Sequence, residues 1–360
     1  MEGNNTIIDR LVNDDPKTQE LEHKLLLDFN REVDKPPTLL NIIDTAGNEC
    51  EIATAGNFSM ITGKAKSRKS FFLGSMLVAS IRGDCTMSNI KGDPDCKPCS
   101  ILFDTEMSEY HSNRMGMSVI RQLPFELREN YKHYMLRELT PSERLDFIEK
   151  MILKYHEITS LVVIDGIKDL LSLGINDEPE AIQLTTKLMR WTSEYNIHIV
   201  CVLHQNKNDK NPRGHIGTEL GNKAETVIQV EKDPRELTKS IITPLFTRGM
   251  DFEPFAFELD EEHFAPVTTE LNIPKTKAEQ KMEEMFIQLF AFKSNYNYSS
   301  LVDAIVANEN KSTAAAKKNI TTGLTRGIIK KNNLFYQLAI QVEKPQEKNN
   351  NKEDDDNPPF

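Results

Sequence analysis

The residues with the clearest capacity for chemistry form a short basic segment between an apolar run of strand length, FSMIT, and an apolar helical pattern, FFLGSMLVASI. The segment consists of Gly63, Lys64, Ala65, Lys66, Ser67, Arg68, Lys69 and Ser70. A loop that closes onto a helix N-terminus points free backbone amides at phosphate oxygens. At this spacing the Lys69 ammonium reaches the β and γ oxygens of a nucleotide, and the Ser70 hydroxyl ligates Mg²⁺. The segment therefore predicts a site for ATP and Mg²⁺.

Arg68 stands where the phosphate-loop pattern has its second glycine. That position often needs a backbone conformation that is costly for a residue with a Cβ atom. The sequence therefore predicts a loop that differs in shape or binds more weakly, while Lys64, Lys66 and Arg68 add positive charge around the phosphates. The alternative is a basic turn that only resembles the pattern.

Two carboxylates at the ends of apolar runs could complete a hydrolytic site. Asp165 ends LVVID, where it would hold the magnesium shell through water; the alternative is an aspartate that caps a helix. Glu106 lies just beyond ILFD, where a carboxylate would orient or deprotonate the attacking water. Asp104 competes with Glu106 for that role, and a glutamate in a surface salt bridge is the remaining alternative.

The segment after a further apolar run, IVCVL, carries groups suited to sensing or binding. Gln205 is predicted to donate an amide hydrogen bond to the γ-phosphate, and His204 is either a second sensor or a strand-end histidine. The following loop, NKNDKNPRGHIG, has no core-forming pattern, which favours ligand contact. Lys207, Lys210 and Arg213 are therefore predicted to touch nucleic-acid phosphates, with a solvated loop as the alternative.

Arg248 follows a late apolar run, SIITPLFT. A guanidinium matches the negative charge that develops on a γ-phosphate, so Arg248 is predicted to act as an arginine finger in a neighbouring subunit's site. The alternative is an exposed arginine in a turn.

The elements that must position these residues follow from the apolar pattern. From about Leu39 to Val267, apolar runs of strand length alternate with longer helical patterns. Runs such as SLVVIDG are apolar at consecutive positions, as expected of strands covered on both faces of a parallel sheet. The sequence therefore predicts an α/β fold with a mostly parallel sheet.

The Pro36-Pro37 pair and changes in composition divide the chain. The predicted units are a helical arm over 1–38 with its helix at Thr18 to Val33, a core over 39–267, a linker over 268–278, a small domain over 279–341 and a disordered acidic tail over 342–360. The small domain reads as helices at Glu279 to Phe292, Ser299 to Ala307 and Ser312 to Arg326, then a hairpin turned at Asn332-Asn333. Three helices followed by a hairpin is the order of a winged helix.

Composition limits the cellular setting. No run approaches the roughly 18 apolar residues of a membrane span, and the first residues lack a secretion-signal pattern, so a cytoplasmic protein with no membrane partner is predicted. The net charge is −11, so nucleic-acid binding must come from a local basic patch.

Five cysteines favour reduced thiols. Cys85, Cys96 and Cys99 lack a clear fourth zinc ligand, although His111 lies downstream, and Cys50 and Cys201 read as core residues.

The C-terminal segment contains a local basic patch of the kind that nucleic-acid binding requires. No acidic residue occurs between residues 311 and 331, a stretch that contains Lys311, Lys317, Lys318, Arg326, Lys330 and Lys331. In a winged helix the segment Ser312 to Arg326 would be the recognition helix, and Lys330 and Lys331 would lie in the wing, where both could contact DNA phosphates. Winged helices also dock proteins, which is the alternative.

Several segments together resemble the RecA-like ATPases, and within them the DnaB and RepA branch of ring-forming replicative helicases. GKAKSRKS resembles the phosphate loop, LFDTEMS the strand with the catalytic glutamate, LVVID the magnesium strand, VLHQNK the sensor strand and FTRG the arginine-finger segment. The resemblance covers about Ala55 to Leu259. It implies a homo-oligomer, a hexamer, with ATP sites between subunits and single-stranded DNA in a central channel.

Two positions depart from that family's pattern: Arg68, and TRG in place of a lysine and arginine pair. They leave open a slow ATPase, or a loader or switch without processive unwinding. The leading hypothesis is an ATP-hydrolysing DNA-associated motor or helicase loader in mobile-element or plasmid replication. The alternatives are a nucleotide-gated regulator that binds DNA through its winged helix, and a RecA-like recombination or repair ATPase.

The chain ends KEDDDNPPF, which resembles the acidic tip of bacterial single-stranded DNA-binding proteins. That resemblance implies docking onto host replication or repair proteins through Asp354, Asp355, Asp356, Pro359 and Phe360. An ordinary solubilising tail is the alternative.

Overall fold

The structure is a computed structural model, and it describes residues 16–44, 47–86, 89–206, 212–260, 265–271, 277–309, 312–325 and 327–339. The chain divides into two compact units between residues 271 and 272. This division lies inside the predicted linker over 268–278, and each unit is described by itself.

Among its described residues, the large unit contains helices, strands and two short 3-10 helices. In chain order its elements are α1 (Pro16–Leu25), β1 (Thr38–Ile43), β2 (Glu49–Thr54), β3 (Phe58–Gly63), α2 (Lys69–Arg82), β4 (Ile90–Gly92), β5 (Cys99–Asp104), α3 (Glu109–Gln122), β6 (Tyr131–Met135), α4 (Pro141–Tyr155), β7 (Thr159–Asp165), α5 (Glu178–Tyr195), β8 (His198–His204), α6 (Gly214–Lys223), β9 (Thr226–Lys232), β10 (Ser240–Thr247), β11 (Phe255–Leu259) and β12 (Pro266–Thr269).

A nine-stranded sheet organises this unit, in the order β12-β11-β10-β9-β3-β8-β7-β5-β6. The strands from β9 to β6 are parallel, and β10 to β12 add an antiparallel edge, so the predicted α/β fold with a mostly parallel sheet is confirmed. The carboxyl ends of parallel strands meet at one edge. Register pairs Gly63 with His204 and Asp104 with Asp165, which brings four strand-end residues together.

The consecutive apolar residues of β7 serve both faces of the sheet. Leu161 and Val163 belong to one buried cluster, and Val162 and Ile164 belong to another, with all four side chains fully buried. Helix α5 contributes Trp191 to the second cluster. The helices therefore cover both faces, as the unbroken apolar runs predicted.

Two sequence-based boundaries need correction. The helix predicted from Thr18 to Val33 ends at Leu25. Beyond it, the Asp28 side chain accepts a hydrogen bond from the Asn30 amide, and the Asp28 carbonyl accepts one from the Arg31 amide. These bonds stabilise a turn in place of a further turn of helix. The sheet continues past the predicted core boundary at residue 267, since β12 pairs with β11 as far as Thr269.

The small unit folds around its own core. It contains α7 (Lys277–Phe292), β13 (Tyr296–Asn297), α8 (Tyr298–Glu309), α9 (Thr313–Thr325), β14 (Ile329–Asn332) and β15 (Phe335–Leu338), with sheet order β13-β15-β14. Phe286, Leu301 and Ile320, from the three helices, are buried together. The hairpin turns one residue later than predicted, at Asn333 and Leu334, and the short strand β13 was not predicted.

Within the part of the chain that is described, no helix combines the length and apolar content that a membrane crossing requires.

His198, at the start of β8, is a buried titratable group, and we expect it to make the stability of the large unit depend on pH. Its fully buried ring donates from Nδ1 to the Thr54 carbonyl at 2.8 Å, and Nε2 has no partner among the described residues. Burial lowers the His198 pKa to about 4, although the Thr54 carbonyl opposes the shift. The unfolded chain therefore binds the proton more readily between pH 6.5 and 4, and stability falls as the pH falls through that window.

We expect the free energy of unfolding to drop by about 2 kcal/mol from this one group between pH 7.5 and 5.0. Denaturant titrations at both pH values measure it. His198→Asn is the matched variant, because its amide can still donate to Thr54 but does not titrate, so its pH dependence should be smaller by that amount. Equal pH dependence in the two proteins would contradict the assignment.

Candidate nucleotide site

The phosphate-loop segment lies between the end of β3 and the start of α2, as its sequence predicted. Gly63 closes the strand with φ 155°, and a Cβ atom there would lie 2.0 Å from the Val230 carbonyl oxygen. Only glycine therefore fits at this position. Ser67 is buried, and its hydroxyl has no hydrogen-bond partner in the described parts of the chain.

Lys69 lies at the first position of α2 and its side chain is buried. The ammonium donates to the Gly63 carbonyl at 3.1 Å and the Lys64 carbonyl at 2.9 Å, and it lies 3.1 Å from His204 Nδ1. Burial lowers the Lys69 pKa to about 8, although the carboxylates of Asp165 and Glu106 raise it. The ammonium is thus held at the mouth of the loop.

Ser70 and Asp165 form the position suited to a cation. The Ser70 hydroxyl donates to Asp165 Oδ2 at 2.9 Å. Burial raises the Asp165 pKa to about 6, and the charges of Asp104 and Glu106 add to the shift, although the Ser70 hydrogen bond opposes it. One hydroxyl and one carboxylate are hard oxygen donors, and Mg²⁺ binds nucleotides with few protein ligands. Within the described ranges, no cluster of three metal-ligating side chains occurs.

Glu106 faces the same space from the end of β5. Its Oε1 lies 2.8 Å from Lys168 Nζ, and its Oε2 lies 3.5 Å from His204 Nε2. The hydrogen bond from His204, followed by the one from Lys168, lowers the Glu106 pKa to about 2 against the opposing effect of burial. Glu106 therefore takes part in a salt bridge, as its alternative interpretation held, yet it also lines the cavity with Lys69 and Asp165.

Asp104 does not face the cavity. It is buried, and its Oδ1 accepts from the backbone amides of Glu106 at 3.0 Å and Met107 at 2.9 Å. Burial raises the Asp104 pKa, but hydrogen bonds from His133 and from these amides outweigh it and leave the pKa below its ordinary value. Asp104 thus fixes the turn that carries Glu106. This position does not fit the alternative in which Asp104, and not Glu106, orients the attacking water.

Of the two adjacent candidate sensors, His204 lines the cavity and Gln205 does not. His204 lies between Lys69 and Glu106, one ring nitrogen directed at each. Gln205 is buried, its backbone amide donates to the Gly63 carbonyl at 3.3 Å, and its Oε1 accepts from Gln229 at 3.2 Å. The side chain next to the loop lysine is therefore the histidine, since Gln205 does not line the cavity.

These groups surround one cavity of about 720 Å³. Three cationic or titratable residues in its wall were not predicted, namely His111, Arg114 and Arg137. Spacing could have revealed them: His111 and Arg114 are three residues apart on α3, which follows Glu106, and Arg137 follows the parallel strand β6. Phe71, Met107, Met115 and Leu259 give the cavity an apolar part.

The side chains of Arg68 and Lys64 are directed differently from the prediction that they add positive charge around the phosphates. The Arg68 guanidinium is directed at the start of β10, where it donates to the Leu237 carbonyl at 3.0 Å and to Ser240 Oγ at 3.1 Å. Lys64 and Ala65 are exposed, and neither lines the cavity, whereas Lys66 does.

Arg248 lies away from this cavity. Its guanidinium donates to the Lys223 carbonyl at 3.0 Å, and it lines a second cavity of about 690 Å³ beside α6, with Gly217 and Phe246. Arg213 immediately precedes α6 and is exposed. Lys207 and Lys210 lie outside the described residues.

The remaining predicted residues are distributed over the small unit and the cysteines. Lys317 and Lys318 are exposed on α9, and Lys330 and Lys331 are exposed on β14. Arg326, Lys311 and the tail residues Asp354, Asp355, Asp356, Pro359 and Phe360 lie outside the described residues. Cys50 and Cys201 are buried in the two core clusters, as predicted, and no cysteine joins a metal cluster in the described part of the chain.

The strand order and the loop together define the class of fold: an α/β unit with a mostly parallel sheet, in which the phosphate-loop strand β3 lies beside β8 and one strand away from β7, which carries Asp165. Among solved structures, the chain is similar to the RadB recombinase, with a TM-score of 0.45 and 13% sequence identity over 61% of this chain and 94% of that one. No family model matches the chain, and no curated protein matches it.

Proposed function

We propose that the large unit binds MgATP in the cavity beside the phosphate loop and hydrolyses it. The observation that carries this proposal is the convergence of Lys69, the Ser70–Asp165 pair and Glu106 on one cavity at the carboxyl edge of the parallel sheet. Lys69 would bind the β and γ oxygens, Ser70 and Asp165 would hold the magnesium ion and its water, and Glu106 would orient the attacking water. The ion stabilises the charge of the transferring phosphoryl group.

We further propose that hydrolysis serves a DNA-associated motor or helicase loader of the RepA or DnaB type, assembled as an oligomer. In such an assembly Arg248 would complete a neighbour's site and Arg213 would contact DNA. Gln205, which contacts the phosphate loop through its backbone amide and not through the cavity, would transmit the state of the loop to the segment that follows β8. Arg213 and Arg248 are both exposed, which supports this proposal because both stay accessible to a second molecule. The acidic tail would dock a host replication or repair protein.

The element order of the small unit supports a winged-helix domain. Helix, short strand, two helices and a hairpin occur in that sequence, and β13 pairs with β15. The solvent-facing side of α9 carries Thr313, Ala314, Lys317, Lys318 and no acidic residue, a surface suited to a DNA groove and its phosphates.

ATPase turnover measured with and without single-stranded DNA tests the motor, together with the particle mass in the presence of nucleotide. Stimulation by single-stranded DNA in an oligomer is the expected result. Nucleotide-dependent turnover that ignores DNA, in a monomer, would remove the motor and leave the ATPase.

A nucleotide-gated regulator is the second candidate, favoured by the basic face of α9. Footprinting on duplex DNA separates the two, because a regulator protects one sequence and a motor does not. Lys317→Ala with Lys318→Ala should abolish such protection while ATP turnover is retained. A recombination ATPase would instead form extended filaments on DNA, which electron microscopy would detect.

His204 gives a further prediction, because its ring bridges the proposed phosphate-binding lysine and the proposed water-orienting carboxylate. We expect His204→Ala to lower kcat about tenfold and to change the affinity for ATP little. His204→Asn, which can still donate to one neighbour, should lose less. His156→Ala is the control, since His156 lies at the end of α4 and outside the cavity. Wild-type turnover in His204→Ala would leave the residue a strand-end histidine.

A further inference from the structure

Arg68 has a backbone conformation that is unusual for a residue with a side chain. Its φ and ψ are 69° and 27°, in the left-handed region. In this conformation the Arg68 carbonyl accepts from the amides of Phe71 and Phe72, at 3.2 and 3.3 Å, and so begins helix α2. The two residues that follow, Lys69 and Ser70, are the ones proposed to bind phosphate and magnesium. Their positions therefore depend on a strained residue.

The Arg68 side chain is fastened to the antiparallel edge of the sheet. The guanidinium donates to the Leu237 carbonyl at 3.0 Å, the Lys239 carbonyl at 3.4 Å and Ser240 Oγ at 3.1 Å. Ser240 is fully buried, and its hydroxyl lies 3.3 Å from the Ser67 carbonyl, to which it can donate. The phosphate loop is thus attached to the start of β10 through both Arg68 and Ser67.

The groups that accept hydrogen bonds from Arg68 leave its positive charge in place. All three are neutral, and no salt bridge to Arg68 occurs among the described residues. Its charge is therefore not cancelled by a contacting carboxylate, and Arg68 also forms part of the cavity wall. The guanidinium fork can satisfy several acceptors at once, which a lysine ammonium on a flexible stem does less well.

From these contacts we infer that Arg68 is a positioning residue for nucleotide binding: hydrogen bonds to the start of β10 hold its left-handed backbone, which in turn places Lys69 and Ser70. In this chain an anchored arginine does what a glycine does through conformational freedom. The inference rests on the proposed nucleotide site, and it makes the β9–β10 turn and the phosphate loop one mechanical unit.

The test measures the affinity of the full chain for a non-hydrolysable ATP analogue with Mg²⁺ by calorimetry. Arg68→Ala keeps the backbone cost and loses the anchor, so it should weaken binding about tenfold or more. Arg68→Lys should resemble Arg68→Ala, because it keeps the charge without the fork. Arg68→Gly removes the backbone cost and should lose only about threefold. Arg121→Ala, which removes an exposed arginine from α3, is the matched control.

Ser240→Ala, combined with the Arg68 variants, distinguishes a positioning role of Arg68 from a general effect on stability. It should weaken binding in the wild-type background and weaken it less in the Arg68→Gly background, because the shared hydrogen bond is already absent there. Equal effects in both backgrounds, or wild-type affinity in Arg68→Ala, would overturn the inference while leaving the nucleotide site in place. Failure of the wild-type chain to bind the analogue would overturn the proposed function itself.

Discussion

Replacing Lys69 with methionine is expected to weaken MgATP binding at least about 100-fold and to abolish turnover. The ammonium is the buried cation closest to the loop carbonyls, and a charge-assisted hydrogen bond to phosphate contributes about 1.5–3 kcal/mol, so losing two of them gives a loss of this size. Methionine fills a similar volume without the charge. Calorimetry with MgATP and a phosphate-release assay measure the two losses.

The same variant should stay folded, and this makes the result specific. Burial lowers the Lys69 pKa to about 8, so at neutral pH the nucleotide-free protein holds a protonated amine that burial disfavours. Removing that charge offsets the loss of the two carbonyl contacts, and we expect the unfolding midpoint to remain within about 4 °C of wild type.

Lys64→Met is the matched control, because Lys64 is an exposed lysine of the same loop outside the cavity wall. It removes an equal charge and should cost only a few-fold in affinity through the weaker long-range field. Comparable losses in the two variants would mean that the loop attracts phosphate through net charge, and that Lys69 has no special role.

The strand-end residues could be predicted because their positions depend on local sequence. An apolar run too short for a helix predicts a buried strand, and a polar residue after it must lie at the sheet edge. That reasoning located Asp165 and Glu106, and the same rule applied to β6 would have located Arg137. Local sequence therefore accounts for the strand-end residues of the cavity wall.

Side-chain direction could not be predicted in the same way. His204 and Gln205 are adjacent, and which of them faces the loop depends on the pairing of β8 with β3 and on the acceptor that Gln229 finds in Gln205. Arg68 and Ser240 are 172 residues apart, so no local pattern links them. Contacts of this kind exist only after the sheet has formed, and they determine how this loop differs from the usual phosphate-loop pattern.

Replacing Glu106 with glutamine is expected to lower kcat at least about 100-fold while MgATP affinity changes little. Glutamine has nearly the same size and still accepts one hydrogen bond, but it lacks the charge that polarises water. Because His204 and then Lys168 lower the Glu106 pKa to about 2, the carboxylate is ionised throughout the usual assay range, and its own titration should not limit turnover above pH 4. Single-turnover phosphate release separates this loss from nucleotide binding.

A carboxylate with so low a pKa is a weak proton acceptor, so its expected contribution is orientation of the water and stabilisation of developing positive charge on it. Lys168→Ala tests this point, because it removes one of the two groups that lower the Glu106 pKa. If Glu106 had to take a proton, Lys168→Ala would speed turnover. If Glu106 orients water from a fixed position, the lost ion pair should slow turnover in the wild-type background. In that case Lys168→Ala should have no further effect in the Glu106→Gln background. Asp104→Asn is the contrasting variant: it loosens the turn at Glu106 and should lower both stability and turnover. Full turnover in Glu106→Gln together with its loss in a stable Asp104→Asn would reverse the assignment of the two carboxylates.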